Sequence, residues 1–149
     1  MRCKNRYVFP VPEKYNKPYK SSDAHKGKLK HAVDFIVPEG KPIYAALGGR
    51  VVYVKQNSNV GGNHRKYWFK GNRIVIKHKN DEYSAYEHLK YKGSKVKVRQ
   101  VVRKKQVIGF SGNTGYSAGP HLHFEFFRLT GPDKEKDFQT LQVAFNKLH

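Results

Sequence analysis

The stretch GPHLHFEF, residues 119–126, sets two histidines one residue apart inside an apolar run. In an extended chain successive side chains point to opposite faces. Leu122, Phe124 and Phe126 then line one face, and His121, His123 and Glu125 the other. A chain carrying this segment must bury one face of a sheet and find a use for imidazoles on the other. The remaining sequence agrees with a sheet. HAVDFIV is a β-branched and aromatic run stopped by Pro38, Glu39 and Gly40, and PIYAAL and GRVVYVK flank a turn at Gly48 and Gly49. NRIVIKHK alternates, Asn80 and Asp81 mark a hairpin turn, and EYSAYEHL is the partner strand. KVKVRQVV, QVIGFSG and, after the glycine-rich GNTGYSAGP, HLHFEFFRL complete the series. Seven or eight short strands separated by turns predict a mainly β fold, an antiparallel β-sandwich or partly open barrel. The last segment, KDFQTLQVAFNKL, has both helical and strand potential and stays open.

At 149 residues the length fits one domain with a real core. Residues 1–24 contain three prolines and scattered aromatics without a lasting period, which reads as an arm packed on the domain by its Tyr and Phe side chains. The domain proper is residues 25–149. Residues 55–73, KQNSNVGGNHRKYWFKGNR, form a long basic loop carrying Tyr67, Trp68 and Phe69. Loops of this length in compact domains are usually functional or disordered. Basic residues among aromatics suit a substrate-groove rim or a nucleic-acid platform, and equally an insertion pinned down by its own aromatics.

Thirty Lys and Arg against eleven acids give a net charge of +19, which points to a polyanionic partner: nucleic acid, anionic lipid or an acidic wall polymer. No apolar run reaches the length of a membrane span, and no signal-peptide core follows Met1. A single cysteine, Cys3, excludes an internal disulfide and a cysteine zinc cage.

Two histidines at i and i+2 on a strand reach one small volume. Zinc takes nitrogen and oxygen ligands, and a catalytic site keeps one position open for water. An imidazole that does not bind the metal can serve as a general base near neutral pH. Asp34 lies in an apolar strand, where an unpaired carboxylate is costly to bury and a cation partner is the natural explanation. Glu125 shares the face of His121 and His123 and can orient an imidazole, or pair with one of the many lysines. His88 reads as sharing a strand face with Ser84 and Tyr86. His64, His78 and His149 have no supporting context and read as surface residues.

Taken together, GNTGYSAGPHLHFE, VDFIVPEGKPIYAALGGRVVYV and YSAYEHL resemble the LytM/lysostaphin-type zinc endopeptidases, the M23 peptidase family, which cut peptide cross-links of bacterial peptidoglycan. The resemblance runs from about His25 to Phe126. It implies that family's β fold, with long loops around a metal groove. It implies Zn2+ as cofactor, with Asp34 and His123 as metal ligands. It also implies His121 as general base and His88 as the second catalytic histidine, beside the developing oxyanion. The substrate it implies is peptidoglycan, and the location periplasmic, extracellular or in the cell wall, where the positive surface would hold the protein on anionic wall polymers.

The sequence departs from the family's H-x-x-x-D motif, because Lys30 stands four residues before Asp34 and cannot be the ligand. His31 and His25 are the candidates to replace it. In extended chain His31 faces opposite to Asp34, whereas His25 lies in the loop SDAHKGKLK, which can fold back; His25 is the favoured third ligand. Arg99 and Lys105 stand where the family usually has turn glycines. Two rival readings remain: a degenerate LytM-type domain that binds peptidoglycan or activates a partner without cutting, and a nucleic-acid-binding β-barrel. The second leaves HLHFE unexplained.

Overall fold

The computed structural model describes residues 2–19, 30–134, 136–142 and 145. Eleven strands are formed among them: β1 (Val33–Phe35), β2 (Pro42–Tyr44), β3 (Gly49–Lys55), β4 (Gly61–Gly62), β5 (Asn72–Lys77), β6 (Tyr83–Leu89), β7 (Val101–Val102), β8 (Val107–Phe110), β9 (Gly115–Tyr116), β10 (Leu122–Leu129) and β11 (Phe138–Thr140). Seven of them make one antiparallel sheet in the order β1-β10-β6-β5-β3-β7, with β11 beside the far end of β10. β2 pairs with β8 as a separate antiparallel ribbon, and β4 with β9 as a short parallel pair. The fold is mainly β and antiparallel as expected, and its sheets stay open rather than closing into a barrel.

Period-two alternation decides what the sheet buries. Leu122, Phe124 and Phe126 of β10 join Ile74 and Ile76 of β5 and Tyr86 of β6 in one core, each no more than 1% exposed. Ile43 and Ile108 of the β2–β8 ribbon close that core from the other side. The N-terminal arm adds Tyr7 and Val11, the Tyr7 ring lying 3.9 Å from that of Phe126. The arm is held by a buried carboxylate: Glu82 accepts from the backbone N–H groups of Lys4 and Asn5 and from the Tyr7 hydroxyl, with Arg128 at 3.6 Å.

Asn80 and Asp81 form the β5–β6 turn with φ of 62° and 53°, left-handed conformations that these two residue types tolerate. Several expected runs are shorter than their composition suggests. HAVDFIV contributes three strand residues, with His31 in the preceding turn, and KVKVRQVV contributes only β7. In the latter, Gln100 N–H bonds back to Lys97 O in a tight turn whose third residue, Arg99, has φ 80°. Lys105 occupies the same place, at φ 70°, in the turn closed by Gln106 N–H on Arg103 O. Both turns therefore keep a glycine-like backbone without glycine. The open C-terminal segment supplies a strand, β11.

One surface expectation is overturned. His78 is buried, because strand parity puts it on the face of Ile74 and Ile76. Its Nδ1 faces Gly48 O at 2.9 Å, so that nitrogen carries the proton, and its Nε2 meets the Ser84 hydroxyl at 2.7 Å. Burial lowers its pKa to about 4 and keeps the ring neutral. His64 is exposed as expected, and its ring caps Lys66 N–H. His149 lies outside the described residues.

Candidate active site

Sheet register assembles the site. Asp34 of β1 is the direct partner of His123 of β10, His123 of Glu87 of β6, and Glu87 of Arg73 of β5. Direct partners share a face, so four chemically active side chains cross four strands in one row. Glu125 lies beside the row, with Oε1 3.9 Å from His123 Nε2 and from the Arg73 guanidinium.

His123 stands at the centre with its two nitrogens facing different partners. Nδ1 lies 3.1 Å from Asp34 Oδ1, and Nε2 lies 3.7 Å from Glu87 Oε2. Burial opposes a charge on this ring, but Glu87, then Asp34 and Glu125, outweigh it and raise the pKa to about 9. Glu87 and Glu125 share their surroundings unequally. Burial, then the Glu87 charge, push Glu125 above the usual carboxylate range. Burial works the same way on Glu87, but Arg73 and His123 hold it below that range.

Two places could therefore hold a cation. Glu87, Glu125 and His123 Nε2 form a group whose donor atoms all lie within 4.8 Å of one another. The Arg73 guanidinium, 3.8 Å from Glu87 and 3.9 Å from Glu125, repels a metal there. Asp34 Oδ1 and His123 Nδ1 form the other. Two donors on one tetrahedral zinc, with bonds of about 2.0–2.2 Å, are separated by roughly 3.3–3.6 Å. The observed 3.1 Å needs to open only slightly, and an oxygen and an imidazole nitrogen suit that metal. The second place fits.

His121 and His88 border it. His121 Nε2 is 3.8 Å from Asp34 Oδ1, and its Nδ1 lies 2.7 Å from Gly119 O and 3.1 Å from Ser117 Oγ. A carbonyl only accepts, so Nδ1 holds a proton, and in the neutral ring Nε2 then presents its lone pair to the site. The His88 ring lies 4.6 Å from that of His121 and 6.0 Å from that of His123. Its Nδ1 donates to Thr114 O at 2.7 Å, leaving a second Nε2 lone pair. Burial, then the neighbouring His121, lower the His88 pKa to about 4.

His88 does not share a face with Ser84 and Tyr86, which point into the core. Asn72 pairs with Leu89 but Arg73 pairs with Glu87, so His88 is the extra residue of a β-bulge, at φ 66°. The bulge swings its ring to the face of Glu87 and His123. A left-handed histidine costs on the order of 1–3 kcal/mol, a strain that clusters at functional positions. Thr114 holds the bulge down by accepting from Asn72 N–H and donating to Leu89 O. Gly115, at φ 85°, lets Gly71 approach: a Cβ there would stand 2.7 Å from Gly71 Cα and 3.4 Å from His88 Nδ1.

The family model for peptidase family M23 matches residues 28–136. The chain belongs to peptidase family M23. Peptidoglycan DD-endopeptidase ShyA of Vibrio cholerae serotype O1 is 39% identical over 97 residues, covering 64% of this chain and 19% of the relative. A zinc-containing peptidase from Vibrio cholerae superposes with TM-score 0.62 and 28% identity, over 82% of this chain and 36% of that one. The catalytic domain of lysostaphin, an antimicrobial peptidase from Staphylococcus simulans, superposes with TM-score 0.55 and 26% identity, over 91% and 86%. The chain spans between 19% and 32% of the length of the first curated relatives it matches.

Of the residues that the M23 resemblance singled out, Asp34, His88, His121 and His123 are gathered in one site. His25 lies outside the described residues. Lys30 is exposed in the turn that ends at His31, so the alternation that set His31 opposite to Asp34 does not reach that far. Glu87 and Arg73 were missed. The only available signal was that Glu87 adjoins His88 in YEHL, and strand parity alone sends those two to opposite faces.

Proposed function

We propose that this M23 domain is a zinc-dependent endopeptidase that hydrolyses peptide cross-links of peptidoglycan outside the cytoplasm. Asp34 and His123 hold the metal, with His25 as third protein ligand. The observation that carries the reading is the convergence on Asp34 Oδ1 of His123 Nδ1 at 3.1 Å and His121 Nε2 at 3.8 Å. A bound zinc ion supplies Lewis-acid polarisation of the scissile carbonyl and acidifies water. His121, its Nδ1 fixed by Gly119 O, accepts the water's proton at Nε2 and returns it to the leaving amine. Glu87 and Glu125 keep the His123 ring turned with Nδ1 toward Asp34.

His88 has a narrower role than a ready-made donor. As the neutral ring fixed by Thr114 it presents a lone pair, so it stabilises an oxyanion only once Nε2 is protonated. The negative charge developing on the substrate raises its pKa and favours that state.

Mass spectrometry of muropeptides after incubation of purified peptidoglycan with the protein tests the reading. Cross-linked dimers should disappear while glycan bonds stay intact, and a chelator should stop the reaction. Intact dimers from metal-loaded protein would mean a binding domain without catalysis.

A further inference from the structure

The long basic loop carries a feature that the hydrolytic chemistry does not use. Trp68, Phe69 and Tyr116 are 59%, 85% and 38% exposed and line one surface groove of about 770 Å³ with His64, Arg65 and Lys66. The Trp68 and Tyr116 rings lie 6.1 Å apart at 60°. Exposed aromatic patches of this kind mark binding surfaces. The backbone beneath is anchored. β4 pairs with β9, and Asn72 clips the loop by bonding both Ser58 N–H and Ser58 O.

The chain ties the groove to the candidate active site. Ser117 follows Tyr116 directly; its N–H bonds Gly62 O and its hydroxyl lies 3.1 Å from His121 Nδ1. Five residues of extended chain span at most about 17–18 Å, which bounds the distance from Tyr116 to His121.

We propose that this groove binds the glycan strand whose peptide stem is presented to His121, an inference that rests on the peptidase reading above. Hexose rings carry faces of C–H bonds that lie flat on aromatic side chains, and acetamido groups and hydroxyls that pair at their rims. The stem peptides bear carboxylates, and Arg65 and Lys66 supply the matching cationic edge. Single-stranded nucleic acid also stacks on aromatics beside basic residues, but it gives no reason for the groove to sit within about 18 Å of a histidine site.

Trp68 is the sole tryptophan of the sequence, so its fluorescence reports this groove alone. The His121→Ala protein is titrated with N-acetylglucosamine oligomers, with soluble glycan strands bearing stem peptides, and with single-stranded DNA at matched ionic strength. A saturable change in emission with both glycans, tightest for the stem-bearing strands and weakened about tenfold by Phe69→Ala or Tyr116→Ala, supports the proposal. No change with either glycan, or tighter binding of DNA, overturns it. The second arm compares cleavage of glycan-bearing peptidoglycan with cleavage of free cross-linked peptide dimers. Trp68→Ala should lower the ratio of the two rates about tenfold relative to the parent protein; an unchanged ratio overturns the proposal. If the parent cleaves neither substrate, the peptidase reading has failed, and the fluorescence titration still decides what the groove binds.

Discussion

Asp34 and His123 are 89 residues apart in sequence and direct partners across β1 and β10, with Oδ1 and Nδ1 3.1 Å apart. Both side chains are almost wholly buried. A carboxylate and an imidazole placed this way are already paired before a metal arrives. On the proposed reading, Asp34 and His123 would hold the metal in place of the proton they now share.

That exchange separates the roles of the two HLH histidines. His123→Ala should lose bound metal and all activity, because it removes the imidazole nitrogen 3.1 Å from Asp34, the one assigned to the metal. His121→Ala should keep most of its metal and lose turnover by at least about a hundredfold, the usual scale of a general base. Elemental analysis alongside muropeptide digestion checks both. Equal metal loss in the two variants would reverse the assignment.

Glu87 meets His123 on the side away from Asp34. Glu87→Gln keeps the shape but removes the charge facing Nε2, and metal affinity should fall about tenfold or more. Competition against a fluorescent chelator measures it. Unchanged affinity would mean that Asp34 alone orients the ring.

The neutral, buried His78 makes stability depend on pH. Its folded pKa of about 4 lies below the unfolded value of 6.5. The unfolded chain therefore takes up a proton at this position between those values and the folded chain does not. Stability from this group is intact above pH 6.5 and is lost as pH falls toward 4, by about 3 kcal/mol in full. Urea denaturation at pH 7.5 and 4.5 should show a drop that is about 2–3 kcal/mol smaller in His78→Gln.

Lys105 is exposed and sits at φ 70° in its turn. Relief of the left-handed strain, about 1–2 kcal/mol, exceeds the roughly 0.5–1 kcal/mol of extra chain entropy that glycine loses on folding. Lys105→Gly should raise Tm by about 1–3 °C. A lower Tm would show that the lysine side chain contributes more than the strain takes away.

What the sequence revealed follows from the range of each interaction. The alternation of Leu122, Phe124 and Phe126 against His121, His123 and Glu125 is local, and it separated the core face from the face that carries the candidate site. The turn at Asn80 and Asp81 was legible for the same reason, since residue type sets the allowed φ. His78 was equally legible, two residues beyond Ile76 on the same face, but its polarity argued against burial. The His88 bulge was not legible. It depends on how β5 and β6 slip past each other between Asn72 and Arg73, and on Thr114 arriving from a distant loop. The same holds for Glu87 and Arg73, which join the site only through register across three strands. The parallel contact of β4 with β9 has no pattern at all, because its residues are mostly glycine.

Anomalous diffraction at the zinc edge from crystals of the zinc-loaded protein decides whether the metal sits between Asp34 and His123. One strong peak is expected, bonded to Asp34 Oδ1 and His123 Nδ1, with the His121 ring beside it and unbonded. A peak among Glu87, Glu125 and His123 Nε2, or none on His123 at all, would contradict it.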